Sequence, residues 1–361
     1  MTPAWSILPD DWKPLLKERG LRPFRADQIL QCLYRDYILD WDAATTLPKD
    51  FRETLKREFP IVVPTVRATD TAEDGTTKLL LGLADGNSIE TVVIPAQGKR
   101  LTQCLSSQVG CAMGCAFCAS GSRGLVRSLT ADEIVAEVMM AQHLFATPEN
   151  KRQGSGLCLT NVVVMGMGEP FMNYDETLKA LKILNAGKGP NLGARHITLS
   201  TCGVVPGFQR LANEGLQFEL SVSLHAPNDD LRRQLMPVDK RWPIDELLET
   251  CRDYTLATGR VITFEYTLVK GLNDSRACAE ELVRRLKRLP SCKVNLIPLS
   301  PVDHRPDFQT PDEPTMLAFL DVLMKARIQT MLRRSRGKDV AAACGQLRLR
   351  HDAAATAERG K

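Results

Sequence analysis

The sequence contains no apolar run near the roughly 18 residues that a membrane-spanning helix needs, so no membrane span is expected. It opens Met1-Thr2-Pro3-Ala4-Trp5, without the basic segment and apolar core of a secretory leader. The expected compartment is therefore cytoplasmic, where thiols stay reduced. Charge imbalance is slight: 47 Lys+Arg against 43 Asp+Glu leave +4. Internal repeats and low-complexity tracts are missing, so nothing points to a repeat array. With 43% apolar and 25% charged residues, the composition is that of a folded chain rather than a disordered one. Its 361 residues admit two or three domains, or one large barrel with a small appendage.

A disulfide framework is not expected either. The cysteine count, 11, is odd, and no export signal accompanies it. Cys32, Cys104, Cys158, Cys202, Cys251, Cys278, Cys292 and Cys344 are dispersed, and a dispersed cysteine is usually a small buried apolar residue. Cys111, Cys115 and Cys118 stand together.

Along the chain, Leu15, Leu16, Ile29, Leu30 and Leu33 recur at helical spacing, and Leu47-Pro48-Lys49-Asp50 opens another helix. Residues 1–60 read as a small helical accessory domain. Residues 61–95 read as a short antiparallel β extension, with strands at 61–66, 77–83 and 88–94 and turns at Asp74-Gly75 and Asp85-Gly86. From 96 to 340 strand and helix alternate. Strands are expected at 101–106, 161–166, 196–201, 218–224, 260–268 and 293–298. Helices are expected near 130–145, 175–186, 204–214, 243–257, 274–289 and 312–326, the first with a Thr130–Glu133 capping box. Six βα units make an α/β fold with a parallel sheet. Six is short of eight, so the reading is an incomplete (βα)6 barrel. Residues 341–361 form a C-terminal segment.

The sharpest chemical signal is Cys111-Ala-Met-Gly-Cys115-Ala-Phe-Cys118, directly after the first barrel strand. Three thiolates on one tight loop can hold three irons of a cubane cluster and leave the fourth open. Zinc is the alternative, with Cys104 as a possible fourth ligand. A second signal, Met165-Gly166-Met167-Gly168-Glu169-Pro170, ends the next strand. Its glycines permit close backbone approach to a ligand, and Glu169 could accept from an ammonium. Polar residues recur at further strand ends: Ser200-Thr201-Cys202, Ser221-Val222-Ser223-Leu224-His225, and Asn295. Singly each suits a structural role; together they suggest one cavity at the carboxyl ends of the strands.

The wider strings resemble the RlmN/Cfr family of radical S-adenosylmethionine RNA (adenine) methyltransferases, and RlmN most. They are Cys104-Leu-Ser-Ser-Gln-Val-Gly-Cys111, Gly166-Met-Gly-Glu-Pro170, Ser223-Leu-His-Ala-Pro-Asn-Asp229, Asn295-Leu-Ile-Pro298 and Ala343-Cys-Gly-Gln-Leu347, in the family's order. The resemblance implies a radical S-adenosylmethionine barrel in which Cys111, Cys115 and Cys118 bind a 4Fe-4S cluster. Gly168, Glu169, Ser200, Ser223, Leu224, His225 and Asn295 would hold S-adenosylmethionine. It implies two such molecules per turnover. One methylates Cys344; reductive cleavage of the other gives a radical that takes hydrogen from the S-methyl group. The methylene radical adds to the adenine ring, Glu90 removes the ring proton, and Cys104 attacks the Cys344 sulfur to release the product as a disulfide forms. The implied partners are 23S ribosomal RNA, transfer RNA and a flavodoxin- or thioredoxin-type reductant, with no membrane and a monomeric chain. The implied target is C2 of adenosine. The rival is C8, as in Cfr-type enzymes, whose strings tend to carry Ala where this one has Pro170. A zinc-stabilised RNA-binding module without catalysis is the other alternative.

Charge is concentrated in one place. Residues 325–350 hold eight basic side chains (Lys325, Arg327, Arg333, Arg334, Arg336, Lys338, Arg348 and Arg350) against Asp339, a local +7 that leaves −3 elsewhere. This stripe flanks Cys344 and suits a polyanion, with a solvated face as the alternative. Neutralising Arg333, Arg334 and Arg336 together should weaken RNA binding and flatten its salt dependence, read from binding isotherms at several salt concentrations. An unchanged slope would assign the stripe to a solvated face.

Overall fold

The strand–helix alternation folds as one mixed sheet. The computed structural model describes residues 1–98, 100–333, 336–337 and 339–347; Arg334, Lys338, Arg348 and Arg350 of the basic stripe, and the tail to 361, lie outside them. The strands are β1 (Thr65–Thr71), β2 (Thr77–Gly82), β3 (Ser88–Ala96), β4 (Arg100–Cys104), β5 (Gln108–Gly110), β6 (Leu125–Ser128), β7 (Asn161–Val164), β8 (Ile197–Thr201), β9 (Glu219–Ser223), β10 (Ile262–Leu268), β11 (Cys292–Pro298) and β12 (Gln329–Leu332). Ten of them pair in the order β1-β2-β3-β4-β7-β8-β9-β10-β11-β12, and β5 and β6 form a separate hairpin. From β4 onward every pairing in the large sheet is parallel.

The structure has a seventh parallel strand, β12, beyond the six expected. It is four residues long and half-exposed on the sheet edge, so it lacks the apolar run that marked its neighbours. The β extension is continuous with the barrel: β3 pairs antiparallel with β4, so β1–β3 lengthen the same sheet. Its first strand starts at Thr65, not at residue 61. Pro60 and Pro64 lack the N–H groups that a ladder requires.

The helices are α1 (Trp12–Glu18), α2 (Arg25–Tyr34), α3 (Lys49–Glu58), α4 (Ala131–Phe145), α5 (Tyr174–Asn185), α6 (Val205–Asn213), α7 (Asp229–Leu235), α8 (Ile244–Thr258), α9 (Arg276–Leu286) and α10 (Glu313–Lys325). Their starts are chemically marked. Thr130 and Glu133 make the expected capping box on α4. Asn228, Ser275 and Asp312 accept backbone N–H groups at the starts of α7, α9 and α10. No helix among the described residues is long and apolar enough to cross a membrane.

The amino-terminal helices share the barrel's apolar core through Trp5, Trp12, Trp41 and Phe59, all 1% exposed or less. Trp12 meets Phe59 edge-on at 5.2 Å, and the Trp41 indole donates to the Phe59 carbonyl at 2.7 Å. Arg35 reaches over to donate to the carbonyls of Gly187 and Gly189, beyond α5.

Within the barrel each strand serves two sides. Val162, Val164, Leu199, Leu220, Val222, Phe264, Tyr266, Val294 and Leu296 are buried. Their alternates Ser200, Ser223, Glu265 and Asn295 are polar. The polar set therefore faces the concave side.

Entry to the cysteine loop is fixed by Gly110, at φ +77°. A Cβ there would lie 2.0 Å from the Gly124 carbonyl oxygen, the group that accepts the Cys111 N–H at 2.9 Å. Gly110→Ala should therefore cost about 2 kcal/mol or more and lower the iron retained after anaerobic reconstitution. A denaturant midpoint and iron content equal to wild type would show that this turn tolerates a side chain.

Candidate active site

The loop carrying the three cysteines is fastened on two sides. Ala116 N–H donates to the Leu235 carbonyl at the end of α7, and Ala119 N–H to the Gly345 carbonyl in the C-terminal segment. Cys111, Cys115 and Cys118 line one cavity of about 150 Å³. Gly168, Glu169, Ser200, Ser223 and His225 also line it. Leu224 and Asn295, the other two residues expected there, lie behind that wall. Leu224 is buried, and Asn295 reaches the cavity through Glu265, to which its amide donates at 2.9 Å.

Burial pushes the Cys111 thiol up to about 12 and raises Cys115 and Cys118 as well. The neighbouring cysteines add to the effect at Cys115. Protonated thiols become good ligands only when a metal displaces the proton. Among the described residues, no three His, Cys, Asp or Glu side chains converge on a single metal ion. The donor set suits a cluster that takes one thiolate per iron and leaves one iron open. It does not suit four-coordinate zinc, because Cys104 does not line the cavity that Cys111 and Cys115 share.

Glu169 is a bracket. Its two carboxylate oxygens accept the Phe171 and Cys202 N–H groups at 3.0 and 2.8 Å, tying the end of β7 to the end of β8. Gly168, at φ +103°, allows the approach, since a Cβ there would meet the Gln108 backbone nitrogen at 2.7 Å. His225 is likewise locked, at φ +56°. Its Nδ1 accepts the Thr267 N–H at 2.8 Å, and the Asn273 amide donates to its carbonyl at 2.7 Å. With Nδ1 an acceptor, the neutral ring carries its proton on Nε2. Burial, aided by the Arg232 charge, pushes the imidazole down to about 3 and keeps it neutral.

Arg232 is a site-building residue that sequence reasoning missed. It is fully buried and donates to the carbonyls of Cys202, Ser223, Leu224 and Trp242 and to the Asp239 carboxylate. One guanidinium thus gathers the carboxyl ends of β8 and β9. The only sequence signal was a basic residue in a short, Asn-capped helix.

A second cavity, of about 490 Å³, is lined by Cys104 and Cys344, with Ser120, Met165, Met331, Arg333 and Arg336. The fold thus unites two cysteines 240 positions apart. Cys118, Met165, Gly166, Ile297, Arg333, Cys344 and Gly345 line both cavities, so Cys344 stands in a shared wall. The disulfide keyed to the resemblance is absent: both cysteines, like the other nine, are free thiols. Burial pushes the Cys104 thiol up, whereas Cys344 is exposed on the cavity wall.

Glu90 is not brought into either wall. It sits on β3, fully buried, with Lys78 Nζ 3.4 Å from its Oε1. The register places Cys104 opposite Val92, two residues further along β3, so Glu90 and Cys104 share a face of the sheet.

Comparison with known proteins decides what this frame belongs to. Residues 105–286 match the radical SAM superfamily, and residues 10–61 match the ribosomal RNA large subunit methyltransferase N-terminal domain. The chain is 44% identical over 336 residues to the dual-specificity RNA methyltransferase RlmN of Oleidesulfovibrio alaskensis, covering 92% of each. It is also 44% identical over 346 residues to a protein named "Probable dual-specificity RNA methyltransferase RlmN" from Geobacillus thermodenitrificans, covering 96% of this chain and 92% of that one. The chain belongs to the RlmN family.

A crystal structure of a radical SAM methyltransferase from Sphaerobacter thermophilus superposes with a TM-score of 0.89 at 45% identity, over 96% of this chain and 99% of that one. The α/β radical SAM fold expected from the sequence is thereby established. So are the cofactors, a 4Fe-4S cluster and S-adenosylmethionine.

The buried Arg232 pair makes a test of the frame. Arg232→Met leaves Asp239 buried beside the exposed-side Arg233 alone, and should cost about 3–5 kcal/mol. Adding Asp239→Asn should restore part of that loss in a double-mutant cycle. Additive losses, or an unmoved denaturation midpoint, would remove Arg232 from its bracing role.

Proposed function

We propose that this RlmN-family chain methylates C2 of an adenosine in 23S ribosomal RNA and of an adenosine in transfer RNA, through a methyl-cysteine carrier on Cys344. The observation that carries the reading is the position of Cys344 in the wall between two cavities. One holds the three-thiol loop and the strand-end polar residues; the other is larger and rimmed by Arg333 and Arg336. A carrier must reach its methyl donor on one side and its acceptor base on the other. When bound, the cluster supplies the electron that cleaves S-adenosylmethionine.

The chain's own residues divide the remaining work. Cys111, Cys115 and Cys118 hold the cluster. Gly168, Glu169, Ser200, Ser223, Leu224, His225 and Asn295 place S-adenosylmethionine, directly or through a neighbour, and His225 offers its Nε2–H. Cys104 opens into the larger cavity and is set to attack the Cys344 sulfur, so their disulfide is a turnover state that a thioredoxin-type reductant resets. Glu90 accepts the ring proton, with Lys78 beside it. A base stacked in RNA must flip out to enter, and Arg333 and Arg336 supply charge for the phosphates around it. Two S-adenosylmethionine molecules per turnover, a cytoplasmic monomer and a flavodoxin-type electron donor complete the proposal. So do the divisions at 1–60, 61–95, 96–340 and 341–361.

The test is a pair of variants followed by RNA digestion and nucleoside mass analysis. Cys344→Ala should abolish methylation and keep its iron; retained activity would refute the carrier. Cys104→Ala should accumulate a covalent RNA–protein adduct, and RNA-free protein would refute the resolving role. Methyl groups on C8 in the wild-type product would replace the C2 assignment.

A further inference from the structure

The three-cysteine loop has an outer face as well as the face turned into the cavity. Ala112, Gly114 and residues 122–126 are exposed on it. A Cβ on Gly121 would lie 3.1 Å from the Cys115 nitrogen and 3.4 Å from the Gly114 Cα. The two glycines thus meet beside Cys115 and add no side chain there. Leu125 and Val126, 44% and 64% exposed, border the face on one side. They follow directly on the Gly124 carbonyl that accepts the Cys111 N–H. On the other side the turn after α7 approaches, with Pro237 Cγ 3.9 Å from a Cβ built on Gly114. That turn carries Lys240 and leads into Arg241, and both are exposed.

Charge on this face is unbalanced. The acids near it already have partners. Arg127 holds Asp85 and Glu133, and Arg233 holds Asp229, Asp230 and Asp239. Among the described residues, Arg123, Lys240 and Arg241 have no carboxylate partner. Arg241 lies instead over the Trp242 ring, at 4.6 Å. An exposed apolar pair with three uncompensated positive charges is the complement of an acidic surface with an apolar centre. It lies on the outside of the loop whose thiols suit a cluster.

We propose that this face docks an acidic, flavin-carrying protein that delivers one electron to the cluster through the loop. This rests on the reading that a flavodoxin-type protein supplies that electron. The flavin passes from its anionic hydroquinone to its neutral semiquinone, the cluster gains the electron, and no proton needs to move. The inner side of the loop is committed elsewhere: it faces the S-adenosylmethionine residues and shares a wall with the larger cavity assigned to RNA. Entry from outside lets the donor bind while both substrates are in place. Electron-transfer encounters are small, so two exposed apolar side chains with a charged rim suffice. The rim acts chiefly on the rate of encounter.

The experiment uses the full-length, anaerobically reconstituted protein. Stopped-flow absorbance follows the cluster on mixing with the hydroquinone of a purified bacterial flavodoxin, and separately with dithionite. Reduction of wild type by flavodoxin should slow as salt rises. Arg123→Glu combined with Lys240→Glu should lower the second-order rate constant about 10- to 100-fold at low salt and flatten its salt dependence. The extent of reduction by dithionite should not change. Val126→Ser should weaken flavodoxin binding while keeping the wild-type salt slope. Equal flavodoxin rates in wild type and the double variant overturn the proposal and leave the donor class standing. Weaker RNA binding by the double variant at an unchanged flavodoxin rate overturns it too, and gives this face to RNA. Wild type that dithionite reduces and flavodoxin does not overturns the donor reading, and this proposal with it. Should the double variant lose its iron, Lys240→Glu alone, outside the cysteine loop, carries the comparison.

Discussion

A parallel strand in this barrel must satisfy two environments at once, and the rest of the molecule depends on that constraint. One set of side chains closes an apolar core against the helices. The alternate set faces a cavity that must accept a charged, polar ligand, and so cannot be packed shut with apolar residues. The strand ends beneath that cavity lose the support that a filled interior would give. Ionic and polar brackets replace it: Arg232 across the ends of β8 and β9, Glu169 from β7 to β8, and Asn273 across His225 and Thr267. Each bracket is buried and has its partners, which is what makes a buried polar group tolerable.

The same constraint explains how the C-terminal segment is recruited. The sheet is open, so β12 leaves an edge beside the cavity mouth. The chain returns across that mouth and is pinned by short-range contacts. Gly345 accepts from Ala119, the Leu347 carbonyl from Ser120, and the Pro301 carbonyl from Gln346. Two of these anchors belong to the cysteine loop itself. The position of Cys344 is thus coupled to the three-cysteine loop, and a shift in one is felt by the other. That coupling suits a residue that serves both cavities in turn.

Legibility in the sequence followed the strength of the local signal. The six expected barrel strands carry β-branched and apolar residues, mostly alternating with polar ones, and their expected ranges fall within a few residues of β4, β7, β8, β9, β10 and β11. The three-cysteine loop was readable because metal ligation demands close spacing. β12 was not readable, since an edge strand needs no apolar run. Arg232 was missed because a buried arginine in a seven-residue helix looks like any basic residue on a surface helix. Glu265 was missed for a related reason. Its strand, Ile262–Leu268, reads as a continuous β segment, and nothing local distinguishes a carboxylate aimed into a cavity from one at an exposed position. The proposed pairing of Cys104 with Cys344 needed the resemblance, because a relation across 240 positions has no signature in spacing.

Glu90 shows where resemblance and geometry must be reasoned together. A base must meet its proton, yet Glu90 lies fully buried with Lys78 3.4 Å away, outside both cavity walls. The β1–β3 extension brings Lys78 and Glu90 onto the face shared with Cys104. An isolated barrel ending at β4 would hold Cys104 and Cys344 but lack the buried Lys78–Glu90 ion pair on the face shared with Cys104.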